Sequence, residues 1–160
     1  MSFSDWLLFL HVAAAFALVA ALTVFWFVAV TARNVDRPVD SLRFFRIARP
    51  ANVLVVVGTM GTLIFGIWLA IDLDAYQVWD GWVLAAIVLW AIASAAGQRG
   101  GIVYAQAAKL AGELASQGRG EEPSGELKAL LQDRRAMWLN VVSSALVLAI
   151  LVVMIYKPGA

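Results

Sequence analysis

Cysteine is absent from this chain, and histidine occurs once, at His11. The first absence excludes disulfides, thiolate metal sites, iron–sulfur ligation and thiol nucleophiles. The second leaves a single imidazole for any metal or proton chemistry. Charge is also scarce: Asp, Glu, Lys and Arg make up 14% of the 160 residues, against 62% hydrophobic residues and a mean hydropathy of +0.83. A soluble domain has roughly a quarter of its residues charged. A chain this short has too little interior to hide so much apolar surface, so lipid is the expected solvent for much of it. The net charge of +1 gives no basis for a nucleic-acid partner.

What charge there is separates by sign and place. Four apolar spans are expected at about Trp6–Ala32, Ala51–Ile71, 81–103 (apolar as far as Gly97) and Met137–Tyr156. Eleven of the twelve Lys and Arg residues lie in two of the connecting loops, and the twelfth is Lys157. Arg33, Arg37, Arg43, Arg46 and Arg49 fall between spans one and two; Arg99, Lys109, Arg119, Lys128, Arg134 and Arg135 fall between spans three and four. The loop between spans two and three carries Asp72, Asp74 and Asp80 instead. Basic loops stay on the cytoplasmic side, so this pattern predicts both termini outside and both basic loops inside. The aromatic residues fit these levels. Trp6, Trp68, Tyr76, Trp79, Trp82 and Tyr156 fall near the outer surface, and Trp26, Tyr104 and Trp138 near the inner one. The opening Met-Ser-Phe-Ser-Asp lacks the basic start of a secretory signal, so the first span reads as retained, with Asp5 as its cap.

The basic loops carry local order of their own. Asp40 and Ser41 are placed to cap a short helix ending before Pro50, which then starts span two. On that helix Arg43, Arg46 and Arg49 recur every three residues among Leu42, Phe44, Phe45 and Ile47, an interfacial pattern that sets arginines toward lipid headgroups. Span three is expected to continue as a helix to about Leu114. Gly and Pro between Ser116 and Gly125 break it, and Glu126–Arg135 resumes with Leu127, Leu130 and Leu131 on one face.

Lipid gives no hydrophobic reward for helix association, so close backbone approach has to supply it. Small residues recur at four-residue spacing: Ala13, Ala17 and Ala21; Gly58, Thr62 and Gly66, with Gly61 nearby; Ala93, Gly97 and Gly101. These stripes predict a tight antiparallel bundle, with homo-oligomerisation as the rival use. Acidic and basic residues are missing from the four apolar cores, which counts against a proton pump, an ion-coupled transporter or a charge-lined channel. Trp90, deep in span three, is expected to pack. Asn52 and Asn140, near the inner ends of spans two and four, either bond one another or cap free backbone. His11 lies about 7–8 Å below the outer aromatic level and is the one candidate for haem or copper ligation. Met154 is the second ligand at a similar depth, whereas Met60 lies too deep.

Three stretches carry a family resemblance. They are Phe9-Leu10-His11-Val12-Ala13-Ala14, then Arg46-Ile47-Ala48-Arg49-Pro50-Ala51-Asn52 followed by Gly58 and Gly66, and finally Val152-Val153-Met154-Ile155-Tyr156-Lys157-Pro158. On them the chain resembles the bacterial domain-of-unknown-function 2269 family of four-span integral membrane proteins. That resemblance implies a fold and a membrane address. A more distant similarity to copper-resistance D-type membrane proteins implies a first-span histidine, and His11 is what carries over.

The expected protein is therefore an all-α, four-helix transmembrane bundle forming one domain over residues 1–160, with a cytoplasmic helical extension of span three. Its expected address is the bacterial inner membrane, with lipid and other membrane subunits as partners. Its expected role is that of a non-catalytic accessory or structural subunit. A haem b or copper redox protein built on His11 is the first alternative, and a small-solute or lipid transporter the second. No nucleophile–base pair, phosphate loop or ligand cluster suggests an enzyme.

Overall fold

The computed structural model describes residues 2–73 and 77–158. Five helices follow in order: α1 (Phe3–Ala32), α2 (Pro38–Asp72), α3 (Gly81–Ser116), α4 (Gly125–Leu131) and α5 (Arg134–Tyr156). No strand occurs among the described residues. α1, α2, α3 and the α4–α5 stretch are each long and apolar enough to cross a membrane.

Helix ends follow local chemistry, with several departures from the sequence reading. Ser2, not Asp5, is the α1 cap; Asp5 sits three residues on and reaches back to the Ser2 backbone, completing a capping box. α2 begins at Pro38, whose missing N–H costs nothing in a first turn, rather than at Asp40–Ser41. Ser41 is fully buried, and its hydroxyl donates to the Arg37 carbonyl. α2 then runs unbroken through Pro50, which the sequence reading had placed at a helix start. Pro50 cannot donate to the Arg46 carbonyl, but both residues are exposed, so the loss falls where water or headgroups reach. The arm before span four is not continuous. α4 stops at Leu131, and Asp133 starts α5 by accepting the Ala136 N–H at 2.6 Å. α5 ends at Lys157, which is left-handed at φ 41° ahead of Pro158. Asp74 and Tyr76 lie outside the described residues.

The spans form two antiparallel pairs, α1 on α2 and α3 on α5, joined by α2 against α3. At the end where the chain begins, the Ser4 hydroxyl donates to Asp72 at 2.6 Å. Deeper, a Cβ on Gly58 would lie 2.8 Å from the Leu18 backbone nitrogen, and one on Gly61 2.9 Å from the Ala14 methyl. In the second pair the Ser143 hydroxyl meets Gly97 and Asn140 meets Gly100, both at under 3 Å from where a Cβ would stand. Trp90 crosses between pairs, its indole N–H donating to the Thr59 carbonyl at 3.1 Å.

The seam on α2 holds the four-spaced Gly58, Thr62 and Gly66, all against α1, whereas the seams on α1 and α3 run mainly every seven residues. On α1 the buried set is Leu7, Ala14, Leu18, Ala21, Val28, Ala29 and Ala32, whereas Ala13 is exposed and Ala17 only half-buried. On α3 it includes Ala86, Ala93, Gly100 and Ala107; Gly100, not Gly101, meets the partner helix. A heptad keeps one stripe facing a neighbour at a shallow crossing, while a four-residue repeat drifts round the helix.

α2 and α3, of 35 and 36 residues, are about 52–54 Å long, against a hydrocarbon thickness of about 30 Å. The surplus lies at the end bearing the basic loops and builds a small cap. Ala32, Ala107, Ala111, Leu127 and Leu131 form its buried centre, with Leu42, Phe45, Tyr104, Leu110 and Leu130 packed round it. α4 has seven residues, too few to persist alone; Ser124 caps it, and Leu127 and Leu131 anchor it.

Candidate functional site

Two places gather the polar groups that the sequence singles out: the His11 position between α1 and α2, and the cap where the basic loops meet.

His11 lies a little over two turns into α1, half-buried. Its Nδ1 is 3.0 Å from the Thr62 carbonyl, and because a carbonyl only accepts, Nδ1 carries the proton. The ring is walled by Gly66, where an added Cβ would stand 2.9 Å from Cε1. Gly66 is thus the space into which the imidazole fits. Nε2 is left with its lone pair. Met154 is on α5, which packs on α3, while the His11 contacts with Thr62 and Gly66 are on α2, so the two residues lie in different helix pairs. Among the described residues no group of three or more His, Cys, Asp or Glu side chains is gathered as for a metal ion.

Several other polar groups at membrane depth bond helix backbone or each other. Thr62 donates to Thr59, Thr23 to Val19, and Ser143 of α5 to Ala93 of α3. Trp26 of α1 donates to the Ser144 hydroxyl of α5 at 2.9 Å. Asn140 is buried and donates to Ala136, while Asn52 is exposed, so the two asparagines do not pair.

In the cap the two basic loops are stitched by backbone. The Val39 N–H donates to Gly120 at 3.0 Å, and the Ser124 N–H to Asp36 at 2.9 Å. Gln132 donates to the Arg33 carbonyl at 3.0 Å, and Arg37 stands 3.9 Å from Glu121. The loops therefore lie on one side of the bundle and form one body. Arg43, Arg46 and Arg49 are exposed along the first part of α2. Arg43 keeps a 3.4 Å contact to Asp40, whereas Arg46 and Arg49 make no ion pair among the described residues.

At the far end Trp6, Trp68, Trp79 and Tyr156 are exposed, whereas Trp82 is buried under Lys157, whose ammonium lies 5.7 Å from the ring centre. Phe25 links Trp26 and Tyr104 edge to face, so α1 and α3 share an aromatic contact beneath the cap. Sequence reasoning missed the cap core and the link from Arg33 to the start of α5. Their signal was the leucine pair Leu127 and Leu131, spaced like the alanine pair Ala107 and Ala111.

A family model described as a predicted integral membrane protein (DUF2269) matches residues 5–158. No curated protein and no solved structure matches the chain. The family match carries nothing about copper-resistance proteins.

Proposed function

The chain belongs to the DUF2269 family of predicted integral membrane proteins, and on that premise we propose that it is a non-catalytic accessory or structural subunit of a membrane complex. One observation carries this reading. Four polar side chains at membrane depth bond from one helix to another: His11 to Thr62, Trp90 to Thr59, Ser143 to Ala93 and Trp26 to Ser144. The elaborated part of the molecule is the cap, a packed platform with exposed charged residues, suited to contact with another subunit. The transporter reading has less support, since the clefts at Arg33–Trp138 and Gln106–Leu130 include neither Asn52 nor His11.

The proposed address is the bacterial inner membrane, with the cap cytoplasmic and both termini outside. Its support is the placement of eleven of the twelve basic residues in the two loops that form the cap. A chain without cysteine makes the test direct. Glu126→Cys should react with an impermeant thiol reagent only after the cells are opened, and Gln77→Cys in intact spheroplasts. The reverse pattern overturns the orientation. The accessory role is tested by tagged purification in mild detergent, which should bring down a stoichiometric membrane partner. A protein recovered alone at native expression overturns it.

A second reading, haem or copper at His11, has one observation in its favour. With Nδ1–H held by the Thr62 carbonyl, the ring is oriented and Nε2 is the free donor atom, as in many metal-ligating histidines. Its second ligand would have to come from another copy or another subunit. The same purified sample decides it: a Soret band or stoichiometric copper, lost in His11→Ala, establishes it, and a featureless metal-free sample ends it.

A further inference from the structure

Arg33 and Arg134 are 101 positions apart in sequence, yet both line one open cleft of about 220 Å³ with Met137 and Trp138. Arg33 directly follows α1, and its carbonyl is fixed by Gln132 at 3.0 Å. Its guanidinium Nη1 donates to the Met137 sulfur at 3.1 Å. A thioether is neutral and a weak acceptor, so this contact leaves the guanidinium without a counter-charge and with its other N–H donors. Arg134 opens α5 and is exposed. Neither arginine forms an ion pair among the described residues. The nearby carboxylate, Asp133, is turned to the Ala136 N–H as the helix cap.

The cleft sits where α1 leaves and α5 enters the apolar zone. Trp138, one turn beyond Arg134, is 67% exposed, as an indole at the headgroup level would be. Charge lies on the cap side of the cleft, and the apolar faces of Met137 and Trp138 lie on the bundle side. The geometry points to a specific site for a phosphodiester-bearing anionic phospholipid. Its phosphate is shared between the Arg33 and Arg134 guanidinium groups, and one acyl chain descends along Met137 and Trp138. Free phosphate offers the same anionic chemistry to the two arginines but not the chain. This site is distinct from Arg43, Arg46 and Arg49, which are exposed along the first part of α2 and do not line this cleft. It stands apart from the accessory role and from the orientation, because binding in a nanodisc depends on neither.

The test is native mass spectrometry of the full chain released from nanodiscs containing equal phosphatidylglycerol and phosphatidylcholine. The wild type should retain one phosphatidylglycerol. Arg134→Gln, a change at an exposed residue, should weaken retention about tenfold, and adding Arg33→Gln should weaken it further. The triple change Arg43→Gln, Arg46→Gln, Arg49→Gln should leave it within twofold. Equal retention of phosphatidylcholine, wild-type retention by Arg134→Gln with Arg33→Gln, or an equal loss in the triple variant overturns the site. Displacement of the lipid by millimolar inorganic phosphate would reassign it to free phosphate, and persistence of the lipid supports the assignment.

Discussion

The cap and the spans bury opposite kinds of residue. In the cap the large side chains go inward: Leu127 is 0% and Leu131 1% exposed, lying on Ala107 and Ala111. In the spans most large side chains go outward, with Phe16 73%, Val56 63% and Ile155 74% exposed, while the seams are rich in small residues such as Ala14, Ala21, Gly58, Ala93 and Gly100, set among a few large ones such as Leu7 and Val28. Two solvents explain the inversion. Water drives leucine burial at about 25 cal/mol per Å², so the cap condenses round its largest apolar groups. Lipid gives no such return, so the spans gain only from packing, and small residues bring backbones closest. α3 passes from one regime to the other without changing its repeat: Ala86, Ala93 and Gly100 face α5 or its surroundings, and Ala107, next on the same stripe, receives α4. One helix face thus does two jobs.

The sharpest way to break this contrast is Leu127→Ala. A fully buried leucine replaced by alanine costs about 2–5 kcal/mol. The loss should appear as faster amide exchange and proteolysis across residues 117–133, with helicity of the spans unchanged. If thermal unfolding of the spans falls as far as protection of the cap, the two regions are one cooperative unit and the division fails. Next is Gly58→Ala. A methyl there meets the α1 backbone at 2.8 Å, which no side-chain rotation relieves, so the α1–α2 pair should lose about 1–3 kcal/mol. Gly101→Ala meets open space and should be neutral or stabilising by up to about 1 kcal/mol, since alanine is the better helix former. Thermal denaturation of both variants in one detergent separates close approach from glycine content.

Why some of this was legible in the sequence follows from the same physics. Hydropathy marks lipid contact directly, so the four spans stood out, and α3 was expected to run well past the apolar zone, as it does. The small-residue stripe of α2 is legible, with Gly58 and Gly66 both against α1, as are Ala93 and Gly97 of α3; the α1 stripe is misread in phase. Ala13, Ala17 and Ala21 share a four-residue spacing, but the α1 seam runs through Leu7, Ala14, Ala21 and Val28, where two of the four are large. A composition search for small residues cannot see a seam that alternates sizes. Pro50 was read as a helix start because local rules disfavour an interior proline. Continuity from Ala48 to Ala51, both buried, overrides that preference. The His11 contact with Gly66 was hidden because it pairs residues 55 positions apart, and no local pattern encodes which glycine receives an imidazole.

A smaller effect distinguishes the junction of the two regions. Asp133→Ala removes the carboxylate that caps α5, between α4 in the cap and the fourth span. The expected cost is about 1 kcal/mol, as for other N-caps. It should loosen the first turn of α5 and the contact of Gln132 with Arg33, leaving Leu127 protected. Exchange rates at Ala136 and Met137 against those in α4 read this directly.

The smallest expected effect tests whether polar contacts matter in the seam at all. Ser143→Ala removes the hydroxyl that donates to the Ala93 carbonyl at 2.9 Å. In a membrane the separated helix does not leave that hydroxyl bare, because it turns back to a carbonyl of its own helix. The net cost should therefore be near the about 0.6 kcal/mol average for such bonds, despite the dry surroundings. Gly97 makes the interpretation decisive. A Cβ there would lie 2.9 Å from the Ser143 oxygen, so Gly97→Ala alone forces the hydroxyl aside. In Ser143→Ala that oxygen is gone, and the same glycine change should cost less. The double variant should then be more stable than the two single losses added together, and unfolding in detergent measures the coupling. Strict additivity would mean that Gly97 and Ser143 do not meet, and that α3 and α5 are held at this level by apolar packing alone.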